Sequence, residues 1–106
     1  MKSLWKEAQK HLAGGVSSPV RAFNAVGGEP VFIKSGRGPH LFDSDGKKYV
    51  DYCLSWGALI LGHAEKETVR AVIDQARKGT TFGAATELET RLAAEIKKAF
   101  SSMEKI

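Results

Sequence analysis

Two rhythms of apolar and polar positions divide the chain. The first is helical. Leu4, Ala8 and His11 or Leu12 recur at i, i+4 and i+7 or i+8, which predicts a helix over 3–12 with Ser3 as N-cap and Gly14-Gly15 as its end. Val69, Val72, Ile73 and Ala76 make a second stripe, over 65–78. Glu65 and Glu67 open it, Arg77 and Lys78 close it, and Gly79 caps it. Leu88, Leu92, Ile96 and Ala99 or Phe100 mark a third buried face. Thr86 and Glu89 stand at capping-box spacing before it. The second rhythm is that of strands. Val31–Lys34, His40–Asp43 and Lys48–Tyr52 are short runs, separated by Gly36-Arg37-Gly38-Pro39 and by Asp45-Gly46. Asp-Gly between such runs is a strong hairpin signal. In the third run Tyr49, Asp51 and Cys53 share one face. Met103–Ile106 reads as the opening of a further strand. The pattern predicts an α+β arrangement: a short antiparallel three-stranded meander with three helices.

Two segments fit neither rhythm. They are Gly14-Gly15-Val16-Ser17-Ser18-Pro19-Val20-Arg21-Ala22-Phe23 and Ser55-Trp56-Gly57-Ala58-Leu59-Ile60-Leu61-Gly62-His63. Trp5, Phe23, Trp56, Leu59, Ile60, Leu61 and Phe82 all sit in or beside loops. Ordering a residue costs about 1–2 kcal/mol of backbone entropy. Burying a large apolar side chain returns about 1.5–3 kcal/mol. Glycine-rich loops are worth ordering only where something packs on them, so the chain reads as part of a larger body.

Composition narrows the function classes. Sixteen basic against 12 acidic residues give +4, but the charges are dispersed and mixed in sign, with no basic stripe carrying interleaved aromatics. This argues against a nucleic-acid footprint. Cys53 is the single cysteine, which removes internal disulfides and thiolate metal centres and leaves a buried small hydrophobe as the preferred reading. The N-terminus lacks the apolar stretch of a signal peptide, and Ala58–Leu61 is far too short to span a bilayer. A soluble, cytoplasmic protein is expected.

Candidate chemistry lies in the two irregular segments. Pro19 stiffens the turn that carries Ser18 and Arg21. A guanidinium is well suited to grip a carboxylate with two hydrogen bonds. By spacing alone, a surface arginine beside a helix-flanking serine is the simpler account. Trp56 beside Gly57 can wall a small polar pocket, or be a core tryptophan. Gly62-His63 reads as packing or capping. Asp43-Ser44-Asp45-Gly46 is a hairpin turn rather than a calcium loop, since no acidic residue closes it. No dinucleotide fingerprint, P-loop or nucleophile elbow is present.

Taken in order, these segments resemble the glutamate-1-semialdehyde 2,1-aminomutases. The Ser18-Pro19-Val20-Arg21-Ala22-Phe23 run and Ser55-Trp56-Gly57 are the more specific marks. Asp45-Gly46, Gly62-His63 and Thr86-Glu87-Leu88-Glu89 are shared more widely among class III aminotransferases. The chain departs from the usual His-Ala-His-Pro at His63-Ala64-Glu65-Lys66, and has Ala58 and Ala85 where proline is common. The resemblance implies an N-terminal fragment of a pyridoxal-phosphate transferase of the aspartate aminotransferase-like α/β fold. Residues 1–80 would belong to the small domain, and 81–106 would begin the large cofactor-binding domain. It implies a homodimeric enzyme that moves an amino group between adjacent carbons of glutamate-1-semialdehyde, giving 5-aminolevulinate for tetrapyrrole biosynthesis. It assigns Arg21 to clamp the substrate carboxylate, Ser18 to hydrogen-bond it and Trp56 to wall the pocket. It assigns no catalytic, cofactor-binding or metal residue here. The phosphate cradle and the Schiff-base lysine of the family have no counterpart in this sequence, so this stretch alone is expected to be inactive and not to hold pyridoxal phosphate. Another class III aminotransferase, or a non-catalytic interaction module with the small-domain fold, are the alternatives.

Overall fold

The computed structural model describes residues 2–106. The chain divides into two compact units, one reaching Arg70 and the other starting at Ala71.

In the first unit, α1 spans Lys2–His11. Ser3 therefore lies inside the helix rather than capping it. Glu7 accepts from Lys10 at 2.8 Å, and pairs with His11 at 2.9 Å, one turn on. Tight 3₁₀ turns follow at Ala13–Gly15 and Pro19–Ala22. Gly15 is required by contact as well as by its φ of 73°: a Cβ there would collide with the Trp5 ring.

The meander follows as β1 (Ile33–Arg37), β2 (His40–Asp43) and β3 (Lys48–Val50), antiparallel in the order β1-β2-β3. β2 matches its sequence reading. β1 is displaced toward its C-terminus, because Gly36 and Arg37 pair in the ladder and only Gly38-Pro39 turns. The register shifts between Ile33 and Ser35, placing a bulge at Lys34. β3 is shorter than expected. The Asp51 N–H still reaches Pro39 O at 2.9 Å, but the chain then leaves the sheet, and Tyr52 is 91% exposed.

Asp43 is the polar centre of this unit, 1% exposed. Its Oδ1 accepts the N–H groups of Asp45 (2.9 Å) and Lys47 (2.8 Å), and its Oδ2 accepts the Tyr49 hydroxyl at 2.8 Å. Burial pushes its pKa up. The Tyr49 hydroxyl, the two backbone N–H groups and the Lys47 charge outweigh burial and hold it below the usual aspartate value. The Tyr49 pKa rises in turn, chiefly because its proton is held by Asp43. A depressed carboxyl stabilises the native state above its unfolded pKa, and that contribution disappears as pH falls through the folded value. Stability should therefore drop below about pH 4, and Asp43→Asn should flatten the acid limb of an unfolding-versus-pH curve. An unchanged acid limb would show that Asp43 is not the titrating group.

α2 covers Lys66–Ala76 and α3 covers Glu87–Ala99. Each begins one residue later than its cap. The Glu65 carboxylate accepts the N–H of Glu67 (3.0 Å) and Thr68 (2.7 Å), so Glu65 caps α2 rather than lying in its first turn. Arg77 and Lys78 fall beyond the helix end. Thr86 and Glu89 form the expected capping box, with the Thr86 N–H donating to Glu89 at 3.2 Å. In the second unit Gln75 Nε2 donates to Gly79 O at 2.8 Å, and Phe82 packs on Gly79.

The apolar stripes form as stripes but are not buried. Val72 is 61% exposed and Leu92 63%. Such a stripe becomes core only where a second layer covers it. Ala22 is the single buried hydrophobe among the described residues. Ile60, Leu61 and Phe82 are exposed, whereas Leu59 is half-buried. Cys53 is exposed too, since β3 ends before it and it enters a turn. Residues 103–106 form no strand; a strand needs a neighbour for its backbone groups.

Candidate functional site

Arg21 sits in the second 3₁₀ turn, which starts with Pro19 and ends at Phe23 in a left-handed conformation, φ 60°. Ser18 precedes the turn in an extended conformation, and its carbonyl accepts the Arg21 N–H at 3.0 Å. The Arg21 side chain is exposed. Its Nη1 lies 3.3 Å from the Ser17 hydroxyl, a weak tether. A groove of ≈ 470 Å³ runs beside it, lined by Leu12, Gly15, Val16, Ser17, Arg21, Phe23 and Pro30–Ile33. The groove joins a cationic fork to apolar walls, a combination that suits a small ligand with a carboxylate at one end. Ser17 rather than Ser18 supplies its hydroxyl lining, and Trp56 does not line it. A larger groove, ≈ 1080 Å³, lies in the second unit and contains none of the three candidate residues.

Trp56 stands on an unusual backbone. Leu54, Ser55, Trp56 and Gly57 have φ of 48°, 51°, 62° and 88° in succession. The N–H of Trp56 reaches Cys53 O at 3.0 Å, that of Gly57 reaches Leu54 O at 3.0 Å, and that of Leu59 reaches Leu54 O at 3.0 Å. This is one turn of left-handed helix. L-residues resist it by about 1–2 kcal/mol each, so its three non-glycine members store about 3–6 kcal/mol. The Trp56 side chain is 80% exposed.

Asp51, read as a strand residue, directs its carboxylate into the loop. Oδ1 accepts the N–H of Cys53 (2.9 Å) and Leu54 (3.1 Å). Oδ2 lies 2.7 Å from His63 Nε2. The Asp51 pKa is lowered, first by the His63 hydrogen bond and then by the Leu54 N–H. An ionised carboxylate can only accept, so His63 Nε2 carries the proton. The imidazole leaves little room over β1: a Cβ on Gly36 would stand 2.5 Å from its Cγ. The His63 backbone pairs both ways with Gly38, at 2.8 and 2.9 Å. His63 therefore packs, as its isolation in the sequence implied. Its partner Asp51 carried no sequence signal beyond sharing a strand face with Tyr49. Among the described residues no cluster of metal-ligating side chains occurs, and no helix is long and apolar enough to cross a membrane.

Comparison with known proteins places this geometry. The class-III aminotransferase profile matches residues 23–106. A glutamate-1-semialdehyde 2,1-aminomutase from Thermodesulfovibrio yellowstonii is 55% identical over 99% of the chain and 25% of its own length. Among solved structures, a glutamate-1-semialdehyde aminomutase from Pseudomonas aeruginosa PAO1 superposes with a TM-score of 0.83 at 28% identity, covering 94% of this chain and 22% of that one. A transaminase with PLP bound superposes at 0.87 with 29% identity, covering 97% and 24%. The chain thus spans about a quarter of the length of the curated relatives it matches. With the family match running through the meander, the left-handed turn and both later helices, the chain belongs to the class-III aminotransferases.

Proposed function

We propose that the whole protein is a glutamate-1-semialdehyde 2,1-aminomutase, and that this chain supplies the part that holds the substrate carboxylate. One observation carries the reading. A glutamate-1-semialdehyde 2,1-aminomutase is 55% identical over 99% of the chain, the segment of Ser18 and Arg21 included, whereas a transaminase that superposes over 97% of it is 29% identical.

In this reading the Arg21 fork takes the carboxylate. Ser18 would add a hydroxyl hydrogen bond and the Trp56 ring would close the pocket beside it in the whole protein, although neither lines the Arg21 groove within this chain. The weak Arg21–Ser17 contact leaves the guanidinium available. Fixing a small substrate by its one remote charge holds the reacting carbons in place, which an intramolecular amino transfer requires. Residues 1–80 would form part of a small domain and 81–106 open a large one, in a cytoplasmic homodimer.

Pyridoxal phosphate, when bound, supplies the electron sink for such a transfer. The residues of this chain do not fit that group. Every lysine whose side chain is described is exposed, whereas a lysine that forms a Schiff base is activated by desolvation or a neighbouring cation.

The test is to supply the full-length, cofactor-loaded protein with glutamate-1-semialdehyde alone. Formation of 5-aminolevulinate without a second amino donor or acceptor is expected. Turnover that requires a separate keto acid would instead favour the transaminase alternative, in which the same fold exchanges an amino group between two substrates.

A further inference from the structure

We propose that Asp51 and His63 are positioning residues, a clasp that joins the two ends of the 52–62 loop, holds its left-handed turn and so sets where the Trp56 ring stands. The proposal rests on the reading of Trp56 as a wall of the substrate pocket.

The turn does not hold itself. Leu54, Ser55 and Trp56 all adopt positive φ without being glycine, and such a conformation persists only where its surroundings over-determine it. Beyond the turn's own backbone hydrogen bonds, the side chains that hold it, among the described residues, are one carboxylate and one imidazole. At the entry, Asp51 Oδ1 takes the N–H groups of Cys53 and Leu54. At the exit, Asp51 Oδ2 takes the His63 Nε2 proton. His63 is in turn bolted to the meander, through two backbone hydrogen bonds to Gly38 and through its ring against Gly36. The Asp51 side chain is 6% exposed and that of His63 20%, so solvent competes little for the bond. Among the described residues nothing comparable supports the Trp56 ring. At 80% exposed its position follows the backbone, and the backbone follows the clasp.

The experiment uses the full-length, cofactor-loaded protein, with two readouts: steady-state kinetics on glutamate-1-semialdehyde, and hydrogen exchange of peptides covering 52–62. Asp51→Asn is expected to speed exchange in that segment about tenfold and to raise KM about tenfold, with kcat within about threefold of the starting value. Ser55→Gly, introduced into Asp51→Asn, should return KM toward its starting value, because glycine takes positive φ without cost. Should Asp51→Asn not fold, His63→Gln carries the same two measurements. Unchanged exchange over 52–62 would overturn the clasp. Faster exchange with an unchanged KM would overturn the positioning role. Trp56→Ala separates the two readings. If it leaves KM unchanged, the substrate-pocket reading fails, and the positioning role fails with it. If it raises KM while Asp51→Asn alters neither readout, the clasp alone fails.

Discussion

Replacing Arg21 by lysine in the full-length enzyme is expected to lower kcat/KM by about tenfold to a hundredfold while fold stability changes by under about 1 kcal/mol. Lysine keeps the charge but loses the planar fork that grips both oxygens of a carboxylate. The stability half of the prediction follows from the structure. Arg21 is exposed, and among the described residues its one side-chain hydrogen bond is the 3.3 Å contact to Ser17. Little of the fold depends on the guanidinium, so its removal should be felt by the ligand. Steady-state kinetics beside a thermal melt checks both halves. An unaltered kcat/KM with a large fall in Tm would make Arg21 a structural residue.

Gly36→Ala should have the opposite signature. Ten of the chain's 11 glycines have positive φ, and Gly36 is the one that does not. It is therefore glycine for want of space and not for its φ. An added Cβ would meet the His63 ring at 2.5 Å from Cγ and 2.7 Å from Nδ1. The ring cannot retreat cheaply, because Asp51 holds Nε2 and Gly38 holds the backbone on both sides. Overpacking of this kind costs about 1–3 kcal/mol. A denaturant titration should show a lower midpoint with an unchanged slope. Adding His63→Ala removes the obstructing ring, so the double variant should lose less than the sum of the two singles. Strict additivity would mean that the ring and the new methyl group do not meet.

Local rules make much of this chain legible in its sequence. The Asp45-Gly46 turn, the second strand, the capping box at Thr86 and Glu89, and the three helices follow from spacing and turn chemistry within a few residues. Most of the differences come from partners that lie elsewhere in the chain. β1 was displaced because Gly36 reads as a turn former until His63, far along the chain, is known to lie on it. Asp51 reads as a strand residue because its partners are a loop and a distant imidazole. Glu65 reads as first-turn charge, since glutamate is an uncommon cap. The buried faces expected of α2 and α3 are real as patterns, but burial is a property of what covers them. At the site, the sequence pointed to Arg21 and Trp56 as residue types. It held no trace of the left-handed turn, because Leu54 and Ser55 have no preference for positive φ.

The hydrogen bonds of Asp43 also bear on the order in which the chain assembles. All three donors lie within six residues of it. A hairpin organised around so local an acceptor closes on the microsecond scale and needs no distant partner. The link from Asp51 to His63 must close a longer segment, and it gains its full support only once Gly36 and Gly38 are already in place. Assembly should accordingly be sequential: the β2–β3 hairpin first, β1 added to it, and the strained turn last, wound against a surface that is by then rigid.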